Sequence, residues 1–179
     1  MPVTPFHVGP GSLVKVLLRE KFSLTIFAFA QIVIDLQPLA AMLGADIEVH
    51  GFTHTYLGAT LVGAISGIFG KPLCEQGLRL WNRDMSLSKS HPLWHFPEKI
   101  SWLIVISSAL IGTYSHVLLD CIMHAEIQPF YPLAAENALF GLVEMDELHK
   151  LCAYAGLAGF ICYFGIGYLL SVTANRQRG

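Results

Sequence analysis

Four long apolar runs, separated by shorter polar stretches, dominate the hydrophobic pattern of the chain. They cover residues 22–43, 53–70, 100–124 and 148–172. Each run is close to the ~20 residues that an α-helix needs to cross the hydrocarbon core of a bilayer. The pattern therefore predicts an all-α, polytopic membrane bundle with four spanning helices. We expect it to fold as a single domain over residues 1–179.

A short helix is expected before the first of these runs. Gly9-Pro10-Gly11 interrupts the chain, and the segment from Ser12 to Arg19 can form a mostly apolar helix with a basic far end. We expect this helix to pack as a hairpin on the first span. In that arrangement, His7 returns to roughly the height of Asp35.

Composition and charge support a membrane protein over a soluble one. Hydrophobic residues make up 54% of the chain and charged residues 13%, with a mean hydropathy of +0.54. A soluble domain usually carries about 25% charged residues. The formal net charge of −2 and the lack of a basic aromatic patch argue against nucleic-acid binding. The lipid bilayer is therefore the expected partner, and the second run fits this because small residues at 59, 63 and 67 allow close helix contact.

The distribution of charge between the runs predicts an orientation. Lys and Arg lie at residues 19–21, in the polar segment 71–99 and in the tail at 176–178, whereas acidic residues lie at 46–48 and 126–147. These assignments alternate across four spans. Because cytoplasmic loops are enriched in Lys and Arg, we place the basic elements in the cytoplasm. The chain is then a multi-pass protein of the cytoplasmic membrane.

Polar residues interrupt the apolar runs, and they do so at about the same depth in the membrane. An ionisable side chain within a span costs several kcal/mol unless it is paired. His50 and His54 are four residues apart, and on a helix they would share one face. His116, Asp120 and His124 follow one another at four-residue steps on the third span, so they share one face that shifts slowly around the helix axis. The expected cluster lies on the non-cytoplasmic side, and its candidate metal ligands are His7, Asp35, His50, His54, His116, Asp120 and His124.

Imidazole and carboxylate groups are the ligands that zinc and similar divalent ions prefer. We expect one or two ions, with zinc as the leading candidate. Asp120 can ligate an ion or orient a ligating imidazole, and the two roles are open at this point. Glu126 is either an acid–base group or an acidic loop charge, and with Asp120 it completes the expected catalytic pair. The alternative for the whole set is that it converges for packing alone.

The motifs at these positions resemble the LexA-regulated, inner-membrane-associated metal-dependent hydrolases. The resemblance covers residues 4–124 and is carried by four elements: Thr4-Pro5-Phe6-His7, Ile34-Asp35, His50-Gly-Phe-Thr-His54-Thr, and Ser115-His116-Val-Leu-Leu-Asp120. It implies a membrane-embedded helical hydrolase whose ligand set is similar to that of zinc-dependent phospholipases C. Matched motif by motif, the resemblance implies the ligands named above except His124. His124 is added because it lies about one helical turn after Asp120.

Two positions depart from the family pattern. The usual Asp-x-Asp is here Asp35-Leu-Gln37, and the usual His-Arg-Gly-x-Thr-His is one residue shorter. The expected function is metal-dependent hydrolysis of an ester or phosphoester of a lipid or lipid-linked substrate, through hydroxide bound to the metal. A divalent-metal transporter or channel and a membrane scaffold with a structural metal are the alternatives.

Overall fold

All regular secondary structure is helical in the part that the computed structural model describes, which is residues 5–84 and 94–176. Part of the basic segment 71–99 and of the C-terminal tail lies outside these ranges. The helices are α1 (Gly9–Leu18), α2 (Leu24–Ile34), α3 (Leu36–Met42), α4 (Tyr56–Asp84), α5 (Trp102–Met123) and α6 (Met145–Arg176). Short 3-10 turns cover Pro5–Val8, Arg19–Lys21 and Phe52–His54. Within the described ranges, four helical segments are long and apolar enough to cross a bilayer, which confirms the predicted fold class.

The first span consists of two helices, α2 and α3, that meet at Asp35. Pro38 explains the break, because proline has no N–H to donate to the carbonyl of Ile34, four residues earlier. The Leu39 N–H restores the helical pattern by donating to the Asp35 carbonyl at 3.0 Å. The sequence predicted a single run here, and the break places an acidic residue at a bend in the bundle interior.

The second span begins later and ends later than predicted. Thr55 is extended, and its hydroxyl caps α4 by accepting the Gly58 N–H at 2.9 Å. α4 then continues through Pro72 to Asp84, where the sequence predicted a polar segment. Buried Glu75 stabilises this extension because it accepts the Ile100 N–H at 3.0 Å and pairs with Lys71 and Lys99.

Small residues bring α4, α5 and α2 close together, as the sequence predicted for residues 59, 63 and 67. A Cβ on Gly63 would lie against Leu110 and Thr113 of α5. Gly112 of α5 lies equally close to the backbone of α2. This contact brings the polar side chains of α2 within reach of α5.

The N-terminal helix α1 reverses into α2 through the 3-10 turn at Arg19–Lys21, so the predicted hairpin is present. Its most extensive contacts, however, are with α6. The Ser12 hydroxyl lies 3.2 and 3.1 Å from the carbonyls of Ala155 and Gly156. A Cβ on Gly9 or Gly159 would collide with the opposite helix. The sequence did not predict this pairing of the first helix with the last.

We expect the Gly112→Ala variant to be destabilised by about 1–3 kcal/mol. The added methyl would lie 2.9 Å from the Phe27 carbonyl oxygen and 3.2 Å from the Ala30 Cβ, so α5 must move away from α2. Thermal unfolding in detergent measures the effect. Gly77→Ala is the matched control: a Cβ there has no neighbour within 4 Å, and alanine favours a helix interior by about 0.5–1 kcal/mol. Equal stability of Gly112→Ala and wild type would contradict the proposed close contact.

Candidate metal centre

Two groups of ligand-type side chains lie beside each other at the end of the bundle where α2 meets α3 and α5 ends. The inner group is Asp35, His54, His116 and Asp120, and the outer group is His50, His124 and Glu126. Within each group, one ligand atom per residue lies within 4.8 Å of the others. The inner residues are all buried, whereas the outer residues are partly or fully exposed. The structure thus brings together residues from three separate segments of the chain.

The inner group is built from the bend, the 3-10 turn before α4, and the end of α5. Nε2 of His116 lies 3.1 Å from an oxygen of Asp35 and 3.1 Å from an oxygen of Asp120. Nε2 of His54 lies 3.3 Å from the same Asp120 oxygen. Asp120 and His116 are one turn apart on α5, as predicted. One oxygen of Asp120 is therefore shared by the two imidazoles.

The expectation that His50 and His54 share a helical face is wrong in its local structure. His50 lies in a turn, and His54 ends the 3-10 turn Phe52–His54 that precedes α4. The two rings nevertheless approach to 5.1 Å between centroids. His54 points into the inner group and His50 into the outer one.

The hydrogen bonds of Gln31 fix the protonation of His116. The Gln31 amide nitrogen donates to the Gly112 carbonyl at 3.1 Å, so the amide oxygen must face His116. That oxygen lies 2.6 Å from His116 Nδ1 and can only accept, which places a proton on Nδ1. In the neutral ring, Nε2 therefore carries the lone pair and faces the two carboxylates.

A second set of hydrogen bonds, through Gln37 and Thr53, fixes the protonation of His54. Gln37 donates to the Glu48 carbonyl at 2.9 Å, and its amide oxygen accepts the Thr53 N–H at 3.2 Å and the Thr53 hydroxyl at 2.6 Å. The Thr53 oxygen, 3.0 Å from His54 Nδ1, is then left to accept the Nδ1 proton. Like His116, a neutral His54 directs the lone pair of Nε2 toward Asp120. Gln37 stands where the family pattern has its second aspartate.

This arrangement fits a bound divalent cation. Two imidazole lone pairs and two carboxylates converge in a buried space, and they repel one another unless positive charge lies between them. Protonated imidazoles are the other possible source of positive charge; their Nε2 atoms lie 3.1–3.3 Å from the carboxylates but lack hydrogen-bond geometry. Ligating histidines commonly donate their other N–H to an oxygen acceptor, as both do here. Asp35, His54, His116 and Asp120 are the residues that would hold the ion.

His7 lies against the inner group, as expected from the hairpin. Its ring is 4.9 Å from that of His116, and its Nδ1 lies 3.7 Å from an Asp120 oxygen. The side chain is 1% exposed, and neither ring nitrogen has a hydrogen-bond partner. Burial lowers the pKa of His7 to about 4, so the ring is neutral at pH 7 and able to ligate. Phe6 packs on His149 at the start of α6 and holds this turn in place.

The outer group lies at the wall of a pocket of about 640 Å³. Nδ1 of His50 lies 2.8 Å from Glu126 Oε1, and the His50 and His124 rings are 4.3 Å apart. Burial and the neighbouring His50 lower the pKa of His124. Partial burial opposes ionisation of Glu126, but hydrogen bonds from its own backbone and from His50 hold its pKa below the usual value. His50 and Glu126 line the pocket, and no residue of the inner group does.

Sequence reasoning missed the two glutamines as parts of the site. Gln37 stands out in the sequence only as a departure from a motif, and Gln31 only as a polar residue within the first apolar run. A signal was present, because Gln31 lies four residues before Asp35 and so one helical turn below it. The acceptor role of each amide depends on contacts with α5 and with the loop before α4, which helical spacing does not encode.

We expect Gln31→Met to weaken metal binding by about 10- to 100-fold. Methionine fills a similar volume but gives the His116 Nδ1 proton only a weak sulfur acceptor, so the ring loses its fixed orientation. Isothermal titration of metal-free protein with Zn²⁺ measures the change. Gln76→Met, at an exposed position of α4, is the matched control and should bind as wild type does. Unchanged affinity in Gln31→Met would show that His116 is not oriented through this contact.

Comparison with known proteins assigns the chain to a family. The sequence profile described as YdjM inner membrane protein matches residues 15–176, which include the inner and outer groups. Neither a curated protein nor a solved structure matches the chain. The match confirms the family resemblance drawn from the motifs. With four candidate spans and a buried His/Asp group able to hold a metal ion, the chain belongs to the YdjM inner membrane protein family.

Proposed function

We propose that this protein is a membrane-embedded, metal-dependent hydrolase that cleaves an ester or phosphoester of a lipid or lipid-linked substrate. The observation that carries the proposal is a polar pocket beside a buried His/Asp group. The pocket of about 640 Å³ is large enough for a headgroup, and its wall includes His50 and Glu126. Ligand pockets of a few hundred cubic ångströms with a few polar groups are typical of small-molecule sites.

The proposed roles follow from the contacts of each side chain. The ion is held by the inner group, which is Asp35, His54, His116 and Asp120, with His7 beside it. Gln31 and the Gln37–Thr53 pair keep the two imidazoles in the tautomer that can bind the ion. A bound divalent cation supplies Lewis acidity, which acidifies water and stabilises negative charge on an ester oxygen. Asp120 acts as the shared anionic partner of the imidazoles. Glu126 is the carboxylate at the pocket wall, where it can accept a proton from water or return one to a leaving group.

The surroundings of the pocket favour a lipid-type substrate. Its wall combines the polar groups with Val49, Phe52 and Tyr131. Val49, Phe52 and Tyr131 are themselves exposed apolar or aromatic side chains near the end of the spans. An amphiphile that enters from the bilayer can place its headgroup beside Glu126 while its chains stay in lipid. The charge pattern of the loops supports a non-cytoplasmic position for this end of the bundle, which is part of the proposal.

Metal analysis combined with an activity screen tests the hydrolase proposal. Purified wild type should contain a divalent metal and hydrolyse at least one member of a phospholipid panel, and a chelator should abolish turnover. His116→Ala should lose metal and activity together, whereas His95→Ala, at an exposed position of the other end, should retain both. Metal-free wild type that turns over no substrate would rule out the enzyme.

A structural metal is the second candidate function, and the closure of the inner group favours it. All four inner residues are buried, and structural zinc sites are usually closed by four protein ligands. In that case His116→Ala would lower thermal stability with no activity to lose. Transport is a further alternative, but the apolar cluster of Ile26, Ala30, Val105 and Ala109 fills the interior toward the other end. Zn²⁺ flux into proteoliposomes that Asp35→Ala abolishes would establish transport instead.

A further inference from the structure

Two of the three elements that build the inner group also supply histidines to the outer group. His50 precedes His54 by four residues in the turn before α4, and His124 follows Asp120 by four residues at the end of α5. Each of these two elements thus contributes both to a buried layer and to a layer nearer the surface. The layers remain in contact, with 5.1 Å between the rings of His50 and His54.

The outer residues are held firmly although they are partly exposed. The His124 N–H donates to the Asp120 carbonyl at 2.8 Å, and the His124 carbonyl accepts from the Asn137 side chain at 2.9 Å. The His50 ring packs on the His124 ring at 4.3 Å with 38° between the planes. Glu126 Oε1 lies 2.8 Å from His50 Nδ1 and 3.7 Å from His124 Nδ1. Two imidazoles and one carboxylate therefore share a single small space.

The donor set matches a divalent cation of the zinc type. The atoms that face one another are Nδ1 of His50, Nδ1 of His124 and Oε1 of Glu126. A divalent ion would take the place of the proton shared between His50 and Glu126, because metal binding releases protons from its ligands. Three protein ligands with remaining positions open to water are the usual pattern of a catalytic rather than a structural zinc site. The pocket lined by His50 and Glu126 supplies that open side.

We propose that His50, His124 and Glu126 form a second divalent-cation site that exchanges its ion with solvent, in contrast to the enclosed inner site. Burial sets the difference, because the Glu126 side chain is 58% exposed whereas the Asp120 side chain is 6% exposed. A chelator therefore reaches the outer ion first. The role of this site in catalysis rests on the proposed hydrolase: it would add a second cation on the pocket side, and Glu126 would then bind that cation instead of exchanging protons with water. Ion binding itself does not require that activity.

Zinc stoichiometry after equilibration and desalting tests this second site. Wild type should retain about two zinc ions per chain by mass spectrometry, and brief exposure to a chelator should leave about one. His124→Ala and Glu126→Gln should each hold about one ion, which the same brief treatment does not remove. The matched controls are His95→Ala and Glu136→Gln, both at exposed positions, and they should behave as wild type.

The outcomes separate this inference from the proposed function. A wild type that holds one ion at saturating zinc, or variants that still hold two, would overturn the second site even if the protein hydrolyses lipid. Two ions without turnover would support the site and count against the hydrolase. If His124→Ala fails to fold, Glu126→Gln decides, because its exposed side chain contributes little to packing.

Discussion

The central constraint on the structure is that carboxylates and imidazole lone pairs, buried between membrane helices, need positive charge among them. Asp35 and Asp120 lie on different helices, yet each has an oxygen 3.1 Å from the same His116 nitrogen. Carboxylates buried in this way are costly unless a cation lies among them. Binding free energy from such a cation adds to the stability of the bundle, because the unfolded chain does not hold the ligands together. The inner group is thus both a candidate reaction centre and a cross-link between α2, α4 and α5.

Ligand orientation in this centre comes from amide side chains rather than from additional carboxylates. Gln31 and the Gln37–Thr53 pair accept the Nδ1 protons of the two inner histidines. A neutral acceptor fixes the tautomer without adding negative charge next to two aspartates. This gives a physical reason why a glutamine is compatible with the position where the family pattern has its second aspartate. The charge of the centre is correspondingly less negative.

Much of the fold followed from the sequence, because long apolar runs and helical spacing are local properties. The four spans, the return of His7 and the shared face of His116 and Asp120 could be predicted for this reason. The bend at Asp35, the extension of α4 to Asp84 and the contact of α1 with α6 could not. Each depends on a tertiary contact, such as Glu75 reaching the N–H of Ile100, that the spacing of apolar residues does not record. The convergence of the ligands was predicted, but their division into two layers emerged only with the geometry.

The pairing of α1 with α6 has a consequence for the order in which the centre is completed during synthesis. Asp35, His54, His116 and Asp120 all emerge from the ribosome before the helix that holds the N-terminal turn. The Ser12 contacts with Ala155 and Gly156 form only once that last helix enters the bilayer. Until then the turn that carries His7 lacks the contact between Phe6 and His149, and this flank of the cluster is less covered. Insertion of the final helix therefore completes the packing around the candidate centre.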